Sequence, residues 1–186
     1  MKRIALTLAS LAAPSFVATH AIADDGYETV RDGLTFGVAL GGGNLGCSDD
    51  GCEDFEGSGS FDLHIGGMSS ESLAVLFDAW WMVHSEDDLT VSQGILTGGV
   101  RVWPVQHFWL QGGLGVARAA YEYDGTFFDV EDRSEWVPAF QVGIGVEPIA
   151  TDNFGLDIAL RYGTGFYSDG DNRIHSGALT VGASFY

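Results

Sequence analysis

After residue 3 the chain contains no lysine. Of its eight basic residues, Lys2 and Arg3 stand at the start, and the other six are all arginine, at positions 31, 101, 118, 133, 161 and 173. Against 26 acidic residues this leaves a formal net charge of −18. Phosphate contacts need the opposite sign, which excludes nucleic-acid binding. Beyond the N-terminal segment nothing approaches 18 consecutive apolar residues, so no transmembrane helix is expected. Proline is scarce, with four residues, and there are only two cysteines. By contrast the chain is rich in glycine (27 residues) and aromatic side chains (12%), a mixture that suits short strands and turns better than helices.

Residues 1–23 read as a signal peptide. Lys2 and Arg3 give a positive start, Ile4 to Val17 an apolar stretch, and Ala21-Ile22-Ala23 an A-x-A cleavage site. Cleavage after Ala23 would leave Asp24 as the mature N-terminus. Residues 24–186 are then enough for one domain, and loss of Lys2 and Arg3 takes the whole-chain charge of −18 to −20.

Period-two alternation runs through most of the remainder. In 154–166 the residues Phe154, Leu156, Ile158, Leu160, Tyr162 and Phe166 share one face, while Gly155, Asp157, Ala159, Arg161 and Gly163 share the other. Eight strands follow from this pattern, at 33–42, 59–68, 72–84, 91–103, 108–121, 135–147, 154–167 and 175–186. Their connections alternate between short turns near 69–71, 104–107 and 148–153 and mostly longer polar loops at 43–58, 85–90, 122–134 and 168–174. An even strand count, loops sorted by parity and one greasy face per strand describe an all-β, eight-stranded, antiparallel, up-and-down transmembrane β-barrel. A soluble antiparallel sandwich has no reason to sort its loops this way. Trp103, Phe108, Trp109, Phe154, Phe185 and Tyr186 fall at the short-turn ends. Trp80, Trp81, Tyr121, Tyr123, Trp136, Phe166 and Tyr167 fall at the long-loop ends, so the two sets read as interfacial girdles. Arg118 shares the lipid-facing parity of Leu114 and Val116; it either snorkels at the outer rim or is turned inward by a bulge.

On this strand pattern and the closing G-A-L-T-V-G-A-S-F-Y (177–186), the chain resembles the small eight-stranded bacterial outer-membrane β-barrels, the broad class that holds the OmpX-, OmpW- and OmpA-barrel-like families. The resemblance covers residues 33–186. It implies an outer-membrane location and insertion by the barrel-insertion machinery through the C-terminal strand. One departure stands out: Leu179, Val181, Ala183 and Phe185 are in phase with the lipid face, and the final Tyr186 is one residue out.

Eight strands leave an interior filled by side chains rather than an open pore. The inward set is Asp62, His64, Asp78, Arg101, Gln111, Gln141, Glu147, Asp157 and Arg161. Isolated buried charges are very costly, so the carboxylates should pair with Arg101 and Arg161 as hubs of a structural ion-pair plug. The same residues could instead form a polar path for protons or a small solute. Cys47 and Cys52, an even pair in an exported chain, read as a disulfide in the first long loop. Two thiolates with Asp49, Asp50, Glu53 and Asp54 as a metal site are the alternative, and they fall short of a closely spaced four-ligand set. Most acids lie in or beside the long loops, so the outer face is negative. Solvated loop charge is the simple reading; bridging by Ca²⁺ or Mg²⁺ to neighbouring lipopolysaccharide phosphates is the alternative. The His84-Ser85 and His175-Ser176 pairs, with Asp87 and Asp88 near the first, are the only hint of rim chemistry. Neighbouring residues of a strand point to opposite faces, so neither pair is itself a nucleophile–base dyad.

The expectation is a monomeric outer-membrane barrel without cofactor, resident metal or catalysis, acting in structure or surface interaction (adhesion or ligand reception). A lipid-modifying rim enzyme and a narrow channel for small solutes are the alternatives. The barrel has a direct check. The mature protein should need detergent to stay in solution and should shift in gel mobility on heating; a soluble chain without that shift contradicts it.

Overall fold

The computed structural model describes residues 29–47, 55–86, 89–124, 129–167 and 173–186. The signal-peptide reading, Cys52 and the side chain of Cys47 lie outside the described residues. The strands are β1 (Leu34–Cys47), β2 (Phe55–Ser70), β3 (Leu73–Glu86), β4 (Leu89–Val105), β5 (Phe108–Asp124), β6 (Asp129–Arg133), β7 (Val137–Ala150), β8 (Phe154–Phe166) and β9 (Arg173–Phe185). Neighbours in sequence pair antiparallel except that β7 pairs with β5 rather than β6, and β1 pairs with β9, so β1–β5 and β7–β9 close into an eight-stranded barrel. Closure removes the unpaired edges of an open sheet.

The alternation sorts the two faces as the sequence predicts. Leu34, Phe36, Val38, Leu40, Ile65, Val75, Phe77, Leu114, Leu160 and Leu179 point outward and are exposed. Alternate positions such as Asp62, His64, Asp78, Thr97, Arg101 and Thr180 are buried inside. Hydrocarbon around the wall makes that inversion favourable, since the backbone polar groups of the wall strands pair within the closed ladder.

Several strands run further toward the long loops than the apolar pattern reached. β4 and β5 each have 17 residues, where a crossing needs ~9–11. Above the hydrocarbon the outer face no longer has to be apolar, so pairing continues there without a hydrophobic signature. β6 is a strand where a loop was expected. It pairs with the top of β5, Ala120 opposite Arg133 through Asp124 opposite Asp129, above the point where β7 takes over at Ala117 opposite Val137. Its charged sequence, D-V-E-D-R, discourages further strand pairing at that edge.

Two prolines mark irregularities at the short-turn end: Pro104 and Pro148 fall in the register shifts Val102/Val105 and Val146/Ile149. A residue with no N–H to donate fits such a bulge.

The seam between β1 and β9 is tight. A Cβ added at Gly41 or Gly43 would lie 2.0 Å from the Leu179 carbonyl oxygen or 1.8 Å from that of Gly177. Gly41→Ala and Gly43→Ala should therefore each lower folding stability by about 1–3 kcal/mol. Gly177→Ala, with nothing within 4 Å of the added atom, should change it little. Urea-unfolding midpoints in lipid vesicles check the contrast, and equal effects at all three positions contradict it.

Candidate functional site: the filled lumen and the outer rim

The interior is stacked in three zones. At the short-turn end, Arg31, in the segment before β1, enters the barrel mouth and is 3% exposed. Its Nη2 donates to Glu147 Oε2 at 2.6 Å and to the Gln106 carbonyl at 2.7 Å. Glu147, fully buried on β7, also accepts from Trp103 Nε1 at 2.9 Å and from the Tyr186 hydroxyl at 2.9 Å. The guanidinium of Arg31 lies 4.9 Å from the Trp103 ring and 5.4 Å from that of Tyr186. Burial, and then the Glu147 carboxylate, push the Tyr186 phenol above its usual pKa, so it remains a donor. Thr29, held by Gln106 Nε2 at 2.6 Å, and the Val30 N–H, bonded to Asp152 Oδ1 at 3.0 Å, fix this strap across the floor.

The middle zone holds the charges. Arg161 binds Asp62 through both terminal nitrogens, Nη1 to Oδ2 and Nη2 to Oδ1, each at 2.9 Å. Its Nη1 also reaches Asp78 Oδ2 at 3.4 Å. Gln111 and Gln141 donate to the two oxygens of Asp78 at 2.8 and 2.9 Å. Arg101 departs from the expected role of a carboxylate hub. Among the described residues its bonds go to neutral partners, Gln111 Oε1 at 2.9 Å and Ser184 Oγ at 3.5 Å. Its guanidinium stacks 4.3 Å from the Trp109 ring. Gln111 thus relays between Arg101 and Asp78. Asp157 feels Arg101 and Arg161 at longer range than a direct bond.

Asp62, His64 and Asp78 offer ligand atoms within 4.8 Å of one another, a spacing that suits a cation. The Arg161 guanidinium already bonds both carboxylates, supplying the positive charge a metal would bring. Ser184 Oγ, His64 Nε2 (3.2 Å) and Asp62 Oδ1 (3.6 Å from His64 Nδ1) repeat the order of a hydrolytic triad. All three are buried, and Asp62 is committed to Arg161. The set therefore reads as structural.

The third zone is apolar. Leu45, Trp80, Met82, Val91, Ile95, Val137 and Ala139 pack together toward the long loops, with Tyr167 and Ile174 against them. Ser60 accepts from Trp80 Nε1 at 2.8 Å. Gln93 donates to the Tyr167 hydroxyl at 3.3 Å and to the Ile174 carbonyl at 3.2 Å, and accepts from Ser176.

These zones correct the expected girdles. Trp80, Trp103 and Trp109 are inside, at 0%, 4% and 0% exposure, and Tyr186 turns inward. Parity carried the signal, since Trp80 shares a phase with Asp78, Trp103 with Arg101 and Trp109 with Gln111. The small inward residues make room for them. A Cβ at Gly145 would lie 2.4 Å from the Trp109 ring, and one at Gly163 would lie 2.9 Å from that of Trp80. The outer belts instead include Phe36 and Phe154 on either side of Phe185, with ring centroids 4.9 and 5.4 Å from it, and Phe61 beside Trp81 at 5.9 Å. The phase break at Tyr186 is thus structural: Phe185 ends the lipid face and Tyr186 closes the floor.

At the outer rim, Arg118 keeps its outward parity, with no bulge at its position. It donates from Nε to the Ser134 carbonyl at 3.0 Å and sits 5.9 Å from the Trp136 ring. Ser85 pairs with Thr90 at 3.0 Å, and Ser176 faces the interior. The two His-Ser pairs stand on β3 and β9, which do not pair with each other. The position of Arg31 was missed because no alternation precedes β1, although a lone arginine just before the first strand is the natural partner for an acid at that end.

Arg31→Met would leave Glu147 buried without its cation. It should lower the unfolding free energy by about 3 kcal/mol, and adding Glu147→Gln should restore part of the loss. Denaturant titrations of both variants check this; an unchanged midpoint for Arg31→Met contradicts it.

No protein-family model matches the sequence, and no curated protein does. Solved structures do match. The attachment invasion locus protein of Yersinia pestis superposes with a TM-score of 0.63 at 16% identity, covering 83% of this chain and 100% of that one. Its structure with the heparin analogue sucrose octasulfate gives 0.62 at 16%, with coverage of 83% and 100%. Neisserial surface protein A gives 0.61 at 17%, covering 82% and 96%. At such identities the likeness is one of fold. Together with the apolar outer wall and polar interior, it makes the chain a small eight-stranded β-barrel of the bacterial outer membrane.

Proposed function

We propose that this barrel is a non-conducting, non-catalytic anchor that presents an acidic β-structured platform at the cell surface for adhesion or ligand reception. The carrying observation is the filled lumen, which has a bonded floor at Arg31–Glu147 and an apolar ceiling around Trp80 and Ile95. A narrow channel needs a continuous polar path, and both ends work against one. A rim hydrolase needs an exposed serine beside a histidine, and the orientations of Ser85 and Ser176 do not favour it.

The platform is built from the strand extensions. β4, β5 and β6 rise past the barrel wall, and Glu122, Asp132 and Glu135 are exposed there. The acids at 49, 50, 53, 54, 87, 88, 169 and 171 add to the same end by sequence position. The heparin analogue bound to the attachment invasion locus protein is a polyanion. An acid-rich face repels such a ligand, so the partner that fits here is a basic protein surface, or an anionic one bridged by Ca²⁺ or Mg²⁺. We further propose a cleaved signal peptide (1–23), a Cys47–Cys52 disulfide pinning the first loop, a monomeric barrel, and assembly through the β9 strand ending at Phe185.

Displayed on a non-adherent bacterial strain, the chain should raise attachment to matrix-coated surfaces several-fold. Asp129→Asn with Glu131→Gln and Asp132→Asn should remove most of that gain while heat-modifiable mobility is kept. Planar bilayers containing the purified barrel should stay electrically silent. Discrete conductance steps, or no gain in attachment by the intact chain, overturn the proposal.

A further inference from the structure

Of the six arginines beyond residue 3, three (31, 101 and 161) are buried in the lumen. Two of the remaining three, Arg118 and Arg133, line one cleft of about 280 Å³ on the outside of the wall. The pairing register explains the convergence. Trp81, Gly94 and Arg118 stand in one row across β3, β4 and β5, and the next rows up carry Ser92, Ala120 and Arg133. Trp81 and Trp136 line the same cleft, as do Thr90 and Ser92, which add hydroxyl groups to it. Glu122 is at its upper edge. Arg118 is oriented by its Nε bond to the Ser134 carbonyl and by Trp136. Among the described residues none accepts from its terminal nitrogens. A cationic, hydroxyl-bearing recess between two tryptophans, at the depth of the outer aromatic belt, meets the headgroup layer of the outer leaflet.

Directly beneath, on the same strands, the wall is dented. Gly98 and Gly112 face outward with nothing within 4 Å of an added Cβ. With Val100, Leu114, Phe140 and Val142 they line an apolar groove of about 470 Å³. From Arg118 to Leu114 is four residues along β5, about 13 Å, so the groove lies below the cleft in the hydrocarbon zone, with the Leu96–Val116 row between them. A free anion would use only the upper half; an amphiphile with a phosphorylated head and an acyl tail uses both.

We propose that the β4–β5 wall is a binding site for one phosphorylated lipid of the outer leaflet, its phosphate on Arg118 and Arg133 and an acyl chain in the Gly98/Gly112 groove. Arginine suits this role because its planar fork meets phosphate oxygens bidentately. This site goes beyond the surface role proposed above and stands if that role fails, since it needs only the barrel in its membrane.

The test is native mass spectrometry of the intact barrel released from phosphatidylcholine vesicles doped with bisphosphorylated lipid A. The wild-type barrel should retain one lipid A in preference to phosphatidylglycerol and to the dephosphorylated form. Arg118→Gln with Arg133→Gln should reduce retention at least tenfold, and Gly98→Leu with Gly112→Leu should reduce it several-fold. Heat-modifiable mobility confirms that each variant is folded. Equal retention by the arginine variant, or no preference for the phosphorylated form, overturns the proposal. So does complete displacement by inorganic pyrophosphate with no effect of the glycine substitutions, which would leave an anion site alone.

Discussion

Arg161, clamped on Asp62 by two 2.9 Å contacts and reaching Asp78 at 3.4 Å, is buried in the lumen. A charge in such a place is tolerated only if its partners are in position when the barrel closes. Asp62 is on β2, Asp78 on β3 and Arg161 on β8. β2 and β3 pair as neighbours, but β8 meets them across the lumen only in the closed ring, so the ion pairing and the closure require each other. The glutamines extend the same logic: Gln111 and Gln141 complete Asp78, and Gln111 hands Arg101 a neutral acceptor. Arg101 is thereby free to stack on Trp109 rather than compete for carboxylates.

The second constraint is volume. An eight-stranded barrel must fill its own interior, and here Trp80 and Trp109 do much of the filling against inward glycines. The indole of Trp109 occupies the space in front of Gly143 and Gly145, and that of Trp80 the space in front of Gly163. Glycine richness, which in the sequence reads as a sign of turns, is here largely a matter of interior fit and close strand approach. The floor combines both constraints, since Arg31 brings the charge that Glu147 needs and, with Trp103 and Tyr186, closes the mouth. A filled lumen fits the proposal that interaction takes place on the outside of the molecule, at the strand extensions above the membrane and at the wall itself.

How much of this the sequence disclosed depended on what was under hydrophobic selection. Within the hydrocarbon zone one face must be apolar, so period two identified all eight wall strands and the inward positions of Asp62, Asp78, Glu147, Asp157 and Arg161. Above it that requirement lapses, and the upper parts of β4 and β5 and the whole of β6 left no trace in the pattern. Tryptophan was misleading because it suits both a headgroup belt and a packed interior, and only its phase distinguishes them. The partners of each buried charge were illegible for a different reason. Parity gives the face of a residue but not its height, and height decides that Glu147 meets Arg31 rather than Arg101.

The central claim is that buried charges in the lumen are coupled, not merely co-located. It is tested most directly by a double-mutant cycle of Arg161→Met and Asp62→Asn, read from reversible urea unfolding in lipid vesicles. Residues sharing one ion-pair network should show a coupling energy of about 2–3 kcal/mol, the double variant losing far less than the sum of the singles. Losses that add to within about 0.5 kcal/mol would mean that the two side chains fold independently, and the account of the lumen as a mutually required plug would be wrong.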